Sequence, residues 1–153
     1  MKIMSSYLVL VAVSCYVIAC TRSSMVGQAK AFPLGDYAYT SYDKDGAKVV
    51  EGRLSITSVE SGRNLEGEEV QYIKGNWELK KVGNQEKIGL QDGSGDLAGS
   101  IRKGEIYINL NPNINDANVF LRGTIDGKRF HGKWTFSAYS GPVSGGTFEA
   151  IRK

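Results

Sequence analysis

Two-residue alternation between apolar and polar side chains runs through the chain from Gly35 onward. Alternation with a period of two is typical of β-strands that bury one face, and no stretch has the 3.6-residue period of an amphipathic helix. Gly, Asn and Asp interrupt the alternation, and Asp126-Gly127 is the strongest hairpin signal. The clearest strand follows it, with four residues on one face and three on the other: Phe130, Gly132, Trp134 and Phe136 against His131, Lys133 and Thr135. The pattern predicts an all-β fold.

The alternation divides the chain into eight predicted strands joined by short connections. An up-and-down antiparallel barrel is the expected architecture, because closure pairs the last strand with the first and leaves no exposed edge. The same pattern permits a two-sheet β-sandwich. The interior of an eight-stranded ring is just wide enough to be filled by side chains or to hold one small ligand. The predicted strands are 35–42, 48–59, 70–82, 94–102, 105–110, 119–125, 129–137 and 145–152, with a polar loop at 61–69.

A Gly-x-Trp sequence occurs twice, as Gly75-Asn76-Trp77 and as Gly132-Lys133-Trp134. The two copies lie on the third and seventh predicted strands, which would be diametrically opposite in a ring of eight. This repetition suggests a duplicated half-barrel.

A barrel of this size resembles the small calycin barrels, which are lipocalin-like or avidin-like. The resemblance is architectural, because lipocalins carry Gly-x-Trp on the first strand and this chain has Gly35-Asp36-Tyr37 there. It implies a barrel fold and carries over no ligand-binding residue.

The N-terminal region has the composition of a secretory signal. Lys2 precedes an apolar run at 7–19, and small residues follow. The run is shorter than the roughly 20 residues that a membrane-spanning helix needs. An ordinary signal peptidase site would release a secreted protein with an unpaired cysteine.

The residues Val17-Ile18-Ala19-Cys20 resemble the lipobox of bacterial lipoproteins. In that family the cysteine sulfur receives a diacylglyceryl group, and a peptidase then cuts before the cysteine. The resemblance implies a signal peptide at 1–19, a lipidated N-terminus and tether at 20–32, and a barrel domain at 33–153. It also implies a lipid-anchored protein of the bacterial cell envelope. Thr21 favours the outer membrane if the host has two membranes.

Composition limits the function of the mature chain. Loss of residues 1–19 removes Cys15 and one basic residue, which leaves 18 basic and 16 acidic residues. With Cys20 acylated, no disulfide forms and packing must supply the stability. The charges are interspersed, whereas a nucleic-acid-binding protein carries a clustered basic face. The expected partners are a membrane, through the lipid, and a small apolar ligand or an envelope protein, with no nucleic acid.

The sequence lacks the residue patterns of common catalytic and metal sites. His131 is the only histidine, so no relay or metal site with two histidines is available. No Gly-x-Ser-x-Gly motif is present. The acidic residues at 66–69 belong to a polar loop, and the segments 43–46 and 92–96 do not complete a calcium loop. We therefore expect a non-enzymatic protein without a metal or a cofactor.

Six aromatic residues on inward-facing positions are the candidate ligand contacts, and the alternative is that they fill the core. We expect a lipid-anchored binding protein for a small apolar ligand or a protein partner. The alternatives are a structural or assembly lipoprotein of an envelope complex, and an enzyme inhibitor that presents the loop 111–118 or 139–144. The six candidates are Trp77, Trp134, Phe130, Phe136, Tyr37 and Tyr39.

Overall fold

The computed structural model describes residues 32–83 and 88–153, and these residues form eight β-strands and no helix. The strands pair in sequence order, all antiparallel, and the eighth pairs with the first to close a barrel. The predicted eight-stranded antiparallel barrel is confirmed, and the sandwich alternative is wrong. The strands are β1 (Gly35–Tyr42), β2 (Lys48–Arg63), β3 (Glu69–Lys81), β4 (Gly93–Arg102), β5 (Glu105–Asn109), β6 (Ala117–Asp126), β7 (Arg129–Ala138) and β8 (Gly141–Arg152).

The hairpin of β2 and β3 is longer than the sequence predicts. The predicted loop 61–69 shrinks to a turn after Arg63, in which the Asn64 side-chain oxygen accepts hydrogen bonds from the backbone N–H groups of Glu66 and Glu68 (3.1 and 2.8 Å). Alternation fails as a signal here because both faces of this hairpin end are largely exposed. Without a buried face, no apolar period is required.

Strand β8 begins at Gly141, four residues before the predicted start. Ser137 pairs with Pro142, and the register then shifts so that Phe136 pairs with Ser144. A β-bulge of this kind accommodates an extra residue and tolerates proline. Gly141-Pro142 therefore belongs to a strand, although its composition is typical of a loop.

Antiparallel order defines two ends of the barrel. The connections β1–β2, β3–β4, β5–β6 and β7–β8 lie at one end, which we call the loop end. The opposite end holds the other three turns, and the chain enters β1 and leaves β8 there. We call it the entry end.

The interior of the barrel is filled by side chains. Phe32 closes the entry end, where its ring packs edge-on against Phe130 and tilted against Tyr37, with ring centroids 5.3 Å apart in both cases. The predicted boundary placed Phe32 in the tether, but it is a core residue that is 2% exposed. The buried core includes Leu54, Ile73, Leu97, Ile106, Ile108, Leu121 and Phe148.

The two tryptophans occupy matching positions on opposite sides of the ring. The Trp77 indole N–H, from β3, donates to the carbonyl oxygen of Leu110 at the end of β5. The Trp134 indole N–H, from β7, donates to the carbonyl oxygen of Tyr42 at the end of β1 (2.8 Å). Each tryptophan also pairs in register with a glycine on the following strand, Trp77 with Gly95 and Trp134 with Gly146. This repeated geometry supports the suggestion of a duplicated half-barrel.

Candidate functional site

The six aromatic candidates lie in or against the packed core. Five are at most 4% exposed, and Phe136 is half-buried. Tyr39 stacks on Phe148 with ring centroids 5.9 Å apart, and Phe130 meets the same ring edge-on at 4.8 Å. The packing favours core filling for these residues, and their contact with a ligand stays a prediction.

Residues 88–91 close the loop end of the barrel. Ile88 is 5% exposed and Gln91 is fully buried. Gly89 lies so close to the ring of Phe136 that a Cβ atom there would overlap the ring. The sequence did not identify this closure, because a glutamine beside Asp92-Gly93 is typical of a solvated turn.

Gln91 is held by polar contacts on both sides of its amide group. Its Nε2 donates to the carbonyl oxygen of Ile88 (2.6 Å), and its Oε1 accepts from the Tyr39 hydroxyl (3.2 Å). A buried amide is tolerated when its hydrogen bonds are made. This pair ties the segment 88–91 to the barrel interior.

Gln91→Glu is expected to destabilise the protein at neutral pH and much less in acid. Burial disfavours the charged carboxylate and raises its folded-state pKa above the unfolded value of about 4.3. The loss of stability therefore grows as pH rises through that unfolded value. The midpoint of urea unfolding, compared with the wild type at each pH, measures it. Lys80→Glu on the exposed outer wall is the control, and an equal pH trend there would contradict the prediction.

Two tyrosines should resist ionisation until the barrel unfolds. Burial raises the pKa of Tyr37 to about 12, and its hydroxyl donates to the carbonyl oxygen of Pro33 (2.7 Å). Burial also raises the pKa of Tyr39. Unfolded tyrosine ionises at about 10. Above that pH the folded state binds more protons, so stability falls as pH rises.

An alkaline titration of tyrosinate absorbance tests this expectation. The absorbance signals lost in Tyr37→Phe and Tyr39→Phe should belong to the last transition, which should coincide with unfolding followed by circular dichroism. Ionisation of both tyrosines in the ordinary range with the fold intact would show that neither hydroxyl is buried.

The outer wall contains a cleft of about 430 Å³ beside His131, on β7, β8 and β1. His131 is half-buried, and its Nδ1 is buried without a hydrogen-bond partner among the described residues. Glu149 binds Arg129 at 3.0 Å and accepts from the Tyr42 hydroxyl at 3.4 Å. Because Arg129 is neutralised by Glu149, the cleft offers no free positive charge from that residue. The alternation placed His131 on the face of its strand opposite to Trp134, and the structure shows that it is half-buried there.

A broader cleft of about 1030 Å³ crosses the outer face of β2, β3 and β4. Gly52 and Gly93, which both pair in register with Leu79, belong to its lining together with charged side chains of β2 and β3. Its walls carry ion pairs within the chain, such as Arg53–Glu78 at 3.4 Å. Opposite charges that already pair leave no preference for one ligand charge.

The predicted acidic and oxygen-rich segments make turns and surface pairs. Asp43 accepts backbone hydrogen bonds from Asp45 and Ala47 (3.0 and 2.8 Å), which is turn chemistry. Glu68 pairs with Lys103 at 3.0 Å, and hydrogen bonding to this lysine lowers the pKa of the carboxyl group. Over residues 32–83 and 88–153, no group of three or more acidic, histidine or cysteine side chains is placed to hold a metal ion.

Exposed apolar side chains gather at the loop end. Leu90, Ile114 and Val143 are 43%, 41% and 40% exposed, and Tyr139 is 94% exposed. They lie on three segments, 88–91, 111–115 and 139–143, which we call the loop rim. The sequence analysis identified two of these loops, 111–118 and 139–144, and the second begins with Tyr139, but it gave this residue no separate role.

Comparison of the chain with known proteins found no matching family model, no similar curated protein and no similar solved structure. No helix in the described part of the chain is both long enough and apolar enough to span a membrane.

Proposed function

We propose that this chain is a lipid-anchored protein of the bacterial cell envelope that binds a protein partner through its outer surface and performs no chemistry of its own. The observation that carries the proposal is the filled interior, with core side chains at most 5% exposed. A barrel that is closed by Phe32 at one end and by residues 88–91 at the other presents only its outside to a partner.

The anchor proposal depends on Val17-Ile18-Ala19-Cys20, which lie outside the described residues. Twelve positions separate Cys20 from Phe32, the first described core residue. The tether expected from the sequence, taken as a flexible coil of this length, would reach roughly 20 Å on average. A lipidated Cys20 would therefore hold the entry end of the barrel close to the bilayer. Two or more acyl chains make such attachment stable.

Cys20→Ser tests the anchor. The expected result is loss of the lipid mass from the N-terminus, with the signal peptide uncleaved by the lipoprotein peptidase. Globomycin, an inhibitor of that peptidase, should cause the wild type to accumulate as an uncut precursor. Cys15→Ser is the matched control and should be processed normally. An unmodified, free Cys20 in the mature wild-type protein would reject the anchor.

A second candidate is an enzyme inhibitor that presents one loop. The observation that favours it is Tyr139, which is 94% exposed on a two-residue turn between paired Ala138 and Gly141. The inhibitor hypothesis requires the same anchor and the same outer surface, and differs from the first proposal only in that the partner is an enzyme. Loss of the partner's activity on binding, restored by Tyr139→Ser, would distinguish it from a structural role.

A further inference from the structure

We infer that the loop rim is the surface that binds the protein partner, and that the partner presents a concave, uncharged and apolar pocket that accepts Tyr139. This inference rests on the proposed function, since it names the site at which the anchored barrel meets its partner.

Tyr139 has the exposure and the support of an interface anchor. The turn that carries it is held on both sides by strand pairing, with Ala138 opposite Gly141 and Ala117 opposite Ala138. A tyrosine loses little side-chain entropy on binding, because it has only two rotatable bonds. Tyr is enriched among the residues that dominate binding energy, and those residues fill pockets on the partner. A protruding tyrosine on a short hairpin therefore requires a concave receptor.

The side chains around Tyr139 set the polarity of that receptor. The segments 88–91, 111–115 and 139–143 themselves contain no charged residue, whereas Asp92 and Asp116 flank them and the β1–β2 turn at 43–46 is charged. The uncharged part of the loop end is therefore bordered by charged residues. The three backbone segments neighbour one another in an arc, because Asn111 Nδ2 donates to the carbonyl oxygen of Leu90 (3.3 Å) and β6, which follows the β5–β6 loop, pairs with β7, which leads into the β7–β8 turn. Single exposed apolar residues need no explanation, but a contiguous apolar patch marks an interaction site. Charged residues are depleted at the centres of protein interfaces.

The path of the chain indicates that a protein, and not the anchoring membrane, contacts the loop rim. Phe32 enters the barrel at the entry end, and the loop rim lies at the opposite end. The 12 residues of β8, tilted as barrel strands are, span roughly 30 Å between the ends. If Cys20 is anchored as proposed, the attachment point of the chain is nearer to the entry end than to the loop rim. The exposed apolar side chains are thus available to a protein.

Site-specific photocrosslinking in the producing bacterium tests the inference with the full-length chain. A benzophenone amino acid replaces Tyr139 in one strain and Leu65 in another. Leu65 is the matched control, because it is fully exposed at a hairpin tip of the entry end. Position 139 should give one discrete protein adduct, identified by mass spectrometry, that position 65 does not give.

A second substitution tests whether formation of the adduct depends on the loop rim. Ile114→Asp places a charge in the uncharged arc and should reduce the adduct from position 139 at least tenfold, whereas Lys128→Asp at the entry end should leave it unchanged. Tryptophan fluorescence verifies that both variants are folded. An adduct only with lipid, only with a second copy of the chain, or unaffected by Ile114→Asp would overturn the inference.

The outcome is independent of the anchor. If free Cys20 is found in the mature protein but position 139 still gives the rim-dependent adduct, the anchor fails and the binding surface stands. If Cys20 is acylated but position 139 gives no protein adduct, the hypothesis that the loop rim binds a partner is rejected and the lipid anchor is supported.

Discussion

Trp134→Ala is expected to reduce the free energy of unfolding by about 4 kcal/mol, within the range for deleting a buried aromatic ring. The ring is 2% exposed, and its partner in the ladder, Gly146, has no side chain that could fill the space left by the ring. The carbonyl oxygen of Tyr42 also loses its indole donor. Since domains of this size are stable by about 5–15 kcal/mol, this loss is a large fraction of the total. Urea unfolding followed by far-ultraviolet circular dichroism measures it.

Two further variants separate packing from hydrogen bonding at this position. Trp134→Phe keeps an aromatic ring but removes the donor, so it should cost less than the alanine variant. Thr135→Ala, on the outward face of the same strand, should change stability by no more than about 0.5 kcal/mol. If Trp134→Ala cost as little as Thr135→Ala, the ring would not be part of a packed interior. Trp77→Ala should match Trp134→Ala, because its indole makes the equivalent bond to Leu110.

Gly132→Ala should prevent β6 and β7 from pairing as closely as they do. A Cβ atom at this position would lie well inside contact distance of the carbonyl oxygen of Arg122 and the Cα atom of Gly123. Both are backbone atoms of the neighbouring strand, so relief requires the strand itself to move. Overpacking a core with side chains costs about 1–3 kcal/mol. We expect Gly132→Ala to reach or exceed the upper end of that range in urea unfolding.

Gly46→Ala is the matched control for this steric effect. A Cβ atom there would meet nothing within 4 Å, but its φ of +83° is unfavourable for alanine. Holding alanine at this positive φ should by itself reduce the free energy of unfolding by about 1–2 kcal/mol. If Gly132→Ala cost less than Gly46→Ala, the close approach of β6 and β7 would be wrong. Gly75→Ala should behave like Gly132→Ala, because its Cβ would overlap the carbonyl oxygen of Ser55.

The candidate site was only partly visible in the sequence. Loops 111–118 and 139–144 were identified as candidates from their turn composition, and both contribute to the loop rim. Gln91 was not identified, because its burial depends on Tyr39, which lies 52 positions away in the chain. No local pattern marks a polar side chain whose partner is so distant.

The sequence by itself determined the strands, their inward faces and most of their turns. A strand with one buried face must alternate with a period of two, so Phe130 and Trp134 were placed on one face from their neighbours alone, and both are buried. Turn residues such as Asp126-Gly127 act through local backbone preferences, so these turns can also be predicted from the local sequence. Where both faces are largely exposed, as in β2 after Val59, the pattern no longer defines the strand.

Only the tertiary structure decided that the ring closes and that its interior is filled. Closure depends on pairs such as Thr40 with Glu149, more than a hundred residues apart, and the sheet and sandwich alternatives share the same local pattern. Filling depends on how Phe32, Gln91 and the two tryptophans meet across the barrel. Volumes and distances between distant segments are set by all the strands together, so no single stretch of sequence specifies them.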